Sequence, residues 1–293
     1  MKKKIAILGC ENSHANTFLE YISSKEEYSD SIEVVGVYSN DPEASRALNE
    51  KFGVPILADY RDAVGKIDAL IITARHGDLH YEYAKPYIES GIPMFIDKPI
   101  TIKEDEAVRF MKELKAQGIR ITGGSSLKHD CNVKMLRKGH ESGEGGATVG
   151  GFVRAPIDNS SVYGGFYFYA QHLVEIVLEM FGRYPKSVMA TKNGDSTNVV
   201  FHYDGYDAVG LFLEHNYVYY ACRMSEKAVK GTELVCNDDN NWFRLEFDEF
   251  YELLVGGEQK ISYEDFISPV FVMNAIERSY TSGKEEPVRS FEL

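Results

Sequence analysis

Between residues 4 and 123 the chain switches repeatedly from short apolar runs to stretches of helical period, and few folds accept that alternation. The first apolar run, 4–8, stops at Gly9 and is followed by a helical pattern over 15–24, with Phe18, Leu19 and Ile22 on one face. Further strand runs fall at 32–38, 56–57, 69–73, 94–96 and 119–122. Between them lie a helix opened by Asp41 and Pro42 and closed by Gly53, a helical turn at 59–64, and helices at 79–90 and 103–117. Strand runs that are apolar almost throughout must be buried on both faces. That predicts an α/β fold with a doubly wound parallel sheet over residues 1–123.

The second half, 124–293, reads differently. Helical patterns at 128–140 and 169–181 precede strand runs at 187–191, 198–203, 208–214, 217–223, 232–236 and 242–247. Turn signals such as Asn193-Gly194-Asp195 and Asp204-Gly205 favour antiparallel hairpins, and a last helix is expected at 268–282. A chain of 293 residues has room for about two domains, and Gly123-Gly124 is the expected boundary. The net charge of −13 argues against nucleic acid as a partner, since the only basic cluster is Lys2 to Lys4. No apolar run reaches the roughly 20 residues of a membrane span, and Gly9 to His14 interrupts what would have to be a signal peptide. Four scattered cysteines without a CxxC pair fit neither a zinc site nor a disulfide framework, so a cytoplasmic location is expected.

The first strand-to-helix turn reads Gly9-Cys10-Glu11-Asn12-Ser13-His14, where a dinucleotide site wants G-x-G-x-x-G. Only Gly9 matches; Glu11 and His14 stand in place of the second and third glycines. Gly9, Glu11, Asn12, Ser13 and His14 are nevertheless the candidate phosphate-side residues, with a plain strand-to-helix loop as the competing reading. After the second strand, where an acid would read a ribose hydroxyl, stand Ser39 and Asn40. They can donate to a 2′-phosphate, which tilts the expectation from NAD to NADP, or they simply cap the next helix. Asp97-Lys98-Pro99 ends the fifth strand, where doubly wound sheets bind ligands, so Lys98 can reach a substrate hydroxyl with Asp97 beside it. His76, Asp78 and His80 have no common metal spacing, and no metal is expected.

These landmarks together resemble the Gfo/Idh/MocA oxidoreductases, the family of glucose-fructose oxidoreductase and inositol dehydrogenase. The residues that carry the likeness are Asp97-Lys98-Pro99, Asp41-Pro42-Glu43, the loop from Thr73 to His80, Gly164-Gly165 leading to His172 and Glu175, and the closing Ser282-Gly283-Lys284. The resemblance implies a Rossmann domain, a second α/β domain with a large open antiparallel sheet, and assembly as a homodimer or homotetramer. It also implies NAD(P)-dependent oxidation of a sugar or cyclitol hydroxyl, with Lys98 and His172 as the catalytic pair. Thr73 and His76 then lie near the nicotinamide, and Lys128, Tyr169 and Glu175 near the substrate. One departure stands out: the family aspartate four residues before the histidine is Phe168 here. Two alternatives follow from it, a ligand sensor or scaffold without turnover, and a redox-neutral reaction on a tightly held nicotinamide.

Overall fold

A computed structural model describes residues 1–293. The first half builds β1 (Lys3–Leu8), α1 (Ser13–Ser24), α2 (Glu26–Ser29), β2 (Ile32–Tyr38), α3 (Pro42–Phe52), β3 (Ala69–Ile72), α4 (Asp78–Ala84), β4 (Met94–Asp97), α5 (Glu104–Ala116) and β5 (Ile121–Gly124). These five strands form one parallel sheet in the order β2-β1-β3-β4-β5. Strand order reverses beside β1, so a crevice opens at the carboxyl ends of β1 and β3, where such sheets take their ligands. The strand expected at 56–57 is only a single parallel bridge from Ile56 to Val37. Pro55 just before it has no N–H to donate, and two apolar residues cannot sustain a ladder.

The second half contributes α6 (Cys131–Ser142), β6 (Thr148–Ile157), α7 (Tyr167–Phe181), β7 (Ser187–Asn193), β8 (Ser196–His202), β9 (Asp207–Glu214), β10 (Tyr219–Ser225), β11 (Val229–Leu234), α8 (Trp242–Leu254), α9 (Tyr263–Ser282) and β12 (Glu286–Pro287). Its seven strands run β11-β10-β6-β9-β8-β7-β12, antiparallel except where β6 meets β9. The sequence reading missed β6, a strand at the middle of this sheet. Gly150 and Gly151 weaken its strand signal, yet a Cβ on Gly151 would come within 2.1 Å of the Phe181 ring. The glycine is there so that α7 can lie close against the sheet.

One expected strand is a helix. Residues 242–247 begin α8, whose Trp242, Phe247, Phe250, Leu253 and Leu254 recur at helical spacing, with Asn241 capping the Arg244 N–H. Aromatic residues rich in strand propensity concealed that period. Helix α8 does not cover the second sheet. Phe247, Phe250 and Leu254 instead join Phe18 and Phe95 in the core against the first sheet, each such buried side chain contributing roughly 1.5–3 kcal/mol. A segment from the second half thus brings its side chains to the ligand crevice. No helix is long and apolar enough to cross a membrane.

Candidate active site

The crevice is built from the turns after β1, β2 and β3. Gly9 has φ +77°, and a Cβ there would lie 2.3 Å from the Ala74 backbone nitrogen, so only glycine lets the turns after β1 and β3 meet. Thr73 closes the same junction by donating its hydroxyl to the Gly9 carbonyl. Glu11 directly precedes Asn12, the cap of α1. Its carboxylate reaches sideways, Oε2 accepting from the Ser39 hydroxyl at 2.7 Å and Oε1 from the Arg75 N–H at 3.0 Å. Ser39 in turn accepts the Asp41 N–H, and the Asn40 side-chain oxygen accepts the Tyr38 hydroxyl.

Helix α1 starts at the crevice. Asn12 caps it, accepting the His14 N–H at 3.2 Å, while its amide donates to Asp97 Oδ2 at 3.0 Å. Ser13 donates to the Asn12 oxygen at 3.3 Å. His14 turns inward, its Nδ1 3.0 Å from Asp97 Oδ2 and 3.7 Å from Glu246 Oε2. Its ring meets Phe243 edge-on at 5.1 Å. Asp97 is fully buried and also accepts the Lys98 N–H. Burial alone would raise its pKa, but the charges of His14 and Lys98 prevail and hold it below the ordinary carboxylate value. Glu246 is the opposite case. It is fully buried, neither oxygen has a partner, and burial together with the Asp97 charge pushes its pKa well up. The sequence reading missed Glu246 because it took this segment for a strand; on a helix, an acid between Trp242 and Phe250 on the apolar face would have been the signal.

Lys98 and His172 meet around one aromatic ring. The Lys98 ammonium lies 5.4 Å from the Tyr169 ring centre, and the His172 ring centre is 5.8 Å from it. Phe168 carries no carboxylate, yet it still positions the lysine: its carbonyl accepts from Lys98 Nζ at 3.4 Å and its ring lies 4.7 Å from the ammonium. Burial lowers the Lys98 pKa against the pull of Asp97. Burial, then the charges of Lys98 and His14, hold His172 well below the usual histidine value, so the ring is neutral at pH 7. Its Nδ1 is 2.7 Å from the Ser125 hydroxyl, a partner the sequence reading did not name. That contact orients the ring and leaves Nε2 as the nitrogen for chemistry.

Other candidates are held elsewhere. Glu175, expected near the substrate, pairs with Arg183 and accepts from Gln171. Lys128 donates to the Gly123 carbonyl, and Gln171, Glu175 and Lys128 converge on Gly124. His76 accepts the Asp78 N–H, whereas His80 is buried between the carbonyls of Ala74 and Ile100 and ties two loops together. A cavity of about 520 Å³ lies between α6, α7, α8 and α9; Lys128 and Arg183 line it, but neither Lys98 nor His172 does.

The fold and the crevice define the class first: a Rossmann protein whose ligand edge is completed by a second α/β unit. Residues 3–125 match the model of the Gfo/Idh/MocA oxidoreductase family, described by its NAD-binding Rossmann fold. Inositol 2-dehydrogenase of Burkholderia vietnamiensis is 31% identical over 121 residues, which are 40% of this chain and 36% of that one. The match therefore spans little more than a third of that curated relative. Over the whole chain the likeness is one of fold. Scyllo-inositol dehydrogenase from Lactobacillus casei with bound NAD(H) and scyllo-inositol superposes at a TM-score of 0.83 with 16% identity, covering 99% of this chain and 100% of that one. The WlbA dehydrogenase from Bordetella pertussis, in complex with NADH and UDP-GlcNAcA, gives 0.80 at 18% identity, covering 99% and 100%.

Proposed function

We propose that this chain is an NAD(P)-dependent dehydrogenase acting on a secondary alcohol of a cyclitol or sugar-like substrate. The observation that carries the reading is the buried pair Lys98 and His172 around Tyr169, at the carboxyl end of β4 in a family-matched domain. The residues present suit a dinucleotide: Gly9 allows the tight first turn, and α1 aims its N-terminal end at the crevice, which favours a phosphate. Gly9, Asn12 and Ser13 would hold the phosphate side, and the nicotinamide would supply the hydride acceptor. His172 Nε2 takes the hydroxyl proton, because a neutral imidazole has a free lone pair at neutral pH. Lys98, kept in place by the Phe168 carbonyl, donates to the same oxygen and stabilises the charge developing on it. Tyr169, Tyr217 and Tyr219 beside them offer ring faces for C–H surfaces and hydroxyls for a polyol.

Inositol dehydrogenases among the relatives make scyllo- and myo-inositol the first substrates to try. Nicotinamide reduction followed with inositols, sugars and aminosugar derivatives tests the reading. The Lys98→Met variant should lose about a thousandfold in kcat/KM; full activity in that variant would remove Lys98 from the mechanism. Phe168 favours a second reading, a ligand sensor, because it deletes the carboxylate expected beside the histidine. NADH binding without turnover on any polyol would support that one. We also propose a homodimer formed through the outer face of the seven-stranded sheet, where Phe152, Val200, Val209, Leu211 and Leu213 are only half-buried.

A further inference from the structure

Doubly wound dinucleotide domains read the adenosine ribose with an acid at the end of the second strand, which accepts the 2′-hydroxyl and repels a 2′-phosphate. Here β2 ends in Tyr38, and the next residues are Ser39 and Asn40, neither of them acidic. A carboxylate nevertheless stands at that place. Glu11, carried by the turn after β1, lies 2.7 Å from the Ser39 hydroxyl, and its second oxygen is pinned 3.0 Å from the Arg75 N–H. Two bonds to residues 28 and 64 positions away hold it across the mouths of β1, β2 and β3.

The same bond takes up the Ser39 hydrogen that would otherwise welcome a phosphate. Ser39 accepts the Asp41 N–H and spends its one hydrogen on Glu11. The Asn40 oxygen accepts the Tyr38 hydroxyl, a bond that leaves its amide N–H groups as the donors still available there. Of the arginines, Arg46 pairs with Glu43 and Arg61 with Asp59, while the Arg75 guanidinium lies over the Tyr163 ring. A 2′-phosphate would therefore meet a fixed carboxylate, whereas a 2′-hydroxyl would meet an acceptor.

We propose that Glu11 makes this an NAD site, supplying from the first turn the ribose-reading carboxylate that the end of β2 lacks. The choice is opposite to the one Ser39 suggests from sequence. It rests on the dehydrogenase reading above, and it also explains why a side chain is tolerated at the second glycine position: the carboxylate is pulled sideways, off the phosphate path.

The test is direct titration of the folded protein, its Glu11→Gln variant and its Ser39→Ala variant with NADH and NADPH, read by nicotinamide fluorescence and by calorimetry. The wild type should bind NADH at least about tenfold more tightly than NADPH, the worth of one hydrogen bond to a charged group. Glu11→Gln should shrink that ratio by about tenfold, and Ser39→Ala, which keeps the carboxylate, should preserve the preference. Equal or tighter NADPH binding by the wild type overturns the proposal, as does an unchanged ratio in Glu11→Gln. If Glu11→Gln fails to fold, the wild-type ratio and Ser39→Ala decide. Absence of binding for both nucleotides overturns the dehydrogenase reading itself, and this proposal with it.

Discussion

At the scale of single residues, the site is a set of ionisable groups whose neighbours set their charge. His172 is neutral because burial, and after it the Lys98 charge, disfavours its protonated form. A general base must be unprotonated, so a lowered pKa extends its working range towards acid. The acidic limb of kcat/KM for alcohol oxidation should therefore fall below the usual histidine value of 6.5, with half-maximal activity on the acid side of it. Lys98 is likewise lowered, so the alkaline limb should fall below 10.5. A pH–rate profile measured on substrate and on the deuterated substrate checks both limbs; an acid limb at or above 6.5 would remove His172 as the base. Lys98 and His172 were nameable from sequence because Asp97-Lys98-Pro99 and the landmarks before His172 are local patterns. Ser125 and Glu246 were not, since each becomes relevant only by lying next to a residue tens of positions away.

At the scale of elements, α8 is the one that sequence patterning misassigned and the one that brings an unpaired acid into the crevice. An unfolded glutamate titrates near 4.5, but folding raises the Glu246 value well above that. The folded state then holds the proton more tightly than the unfolded chain. That contribution to stability is fully present below about 4.5 and is lost as pH rises through the folded value. Glu246→Gln keeps the shape and removes the titration. Its melting temperature should equal the wild type near pH 4.5 and exceed it by several degrees at pH 8, where an unpartnered buried carboxylate costs about 1–3 kcal/mol. Differential scanning calorimetry across that range decides it; a difference independent of pH would mean that Glu246 is not titrating in the fold. The parallel strands of the first half were legible because continuous apolar runs punctuated by Asp41-Pro42, Gly53 and Gly91 admit little else. Strand β6 was not, because its glycines answer to the Phe181 ring and not to any local preference.

At the scale of the whole molecule, the two sheets do different work. The five-stranded sheet makes the crevice, and the seven-stranded sheet packs α7 on one face and leaves an apolar face open on the other. The strands alternate as a half-covered sheet should: Ala208, Gly210 and Phe212 of β9 face inward, while Val209, Leu211 and Leu213 face out. A charge in the middle of that outer face should break the proposed dimer. Leu211→Glu is expected to elute as a monomer in light-scattering chromatography at concentrations where the wild type is a dimer, with the fold retained by circular dichroism. A wild type that is already monomeric at tens of micromolar would dismiss that interface.

What the sequence by itself determined is the layer plan. Strand, helix and turn preferences are read within a few residues, so a parallel first half, a hairpin-rich second half and a family pattern around Lys98 could be seen before any coordinates. What only the tertiary structure decided is which side chains share a space. Glu11 meets Ser39 beyond the end of another strand, Phe168 holds Lys98 through its carbonyl, and Glu246 arrives beside His14 from 232 positions away. Such meetings depend on how packed elements aim their side chains, and no local pattern encodes that direction.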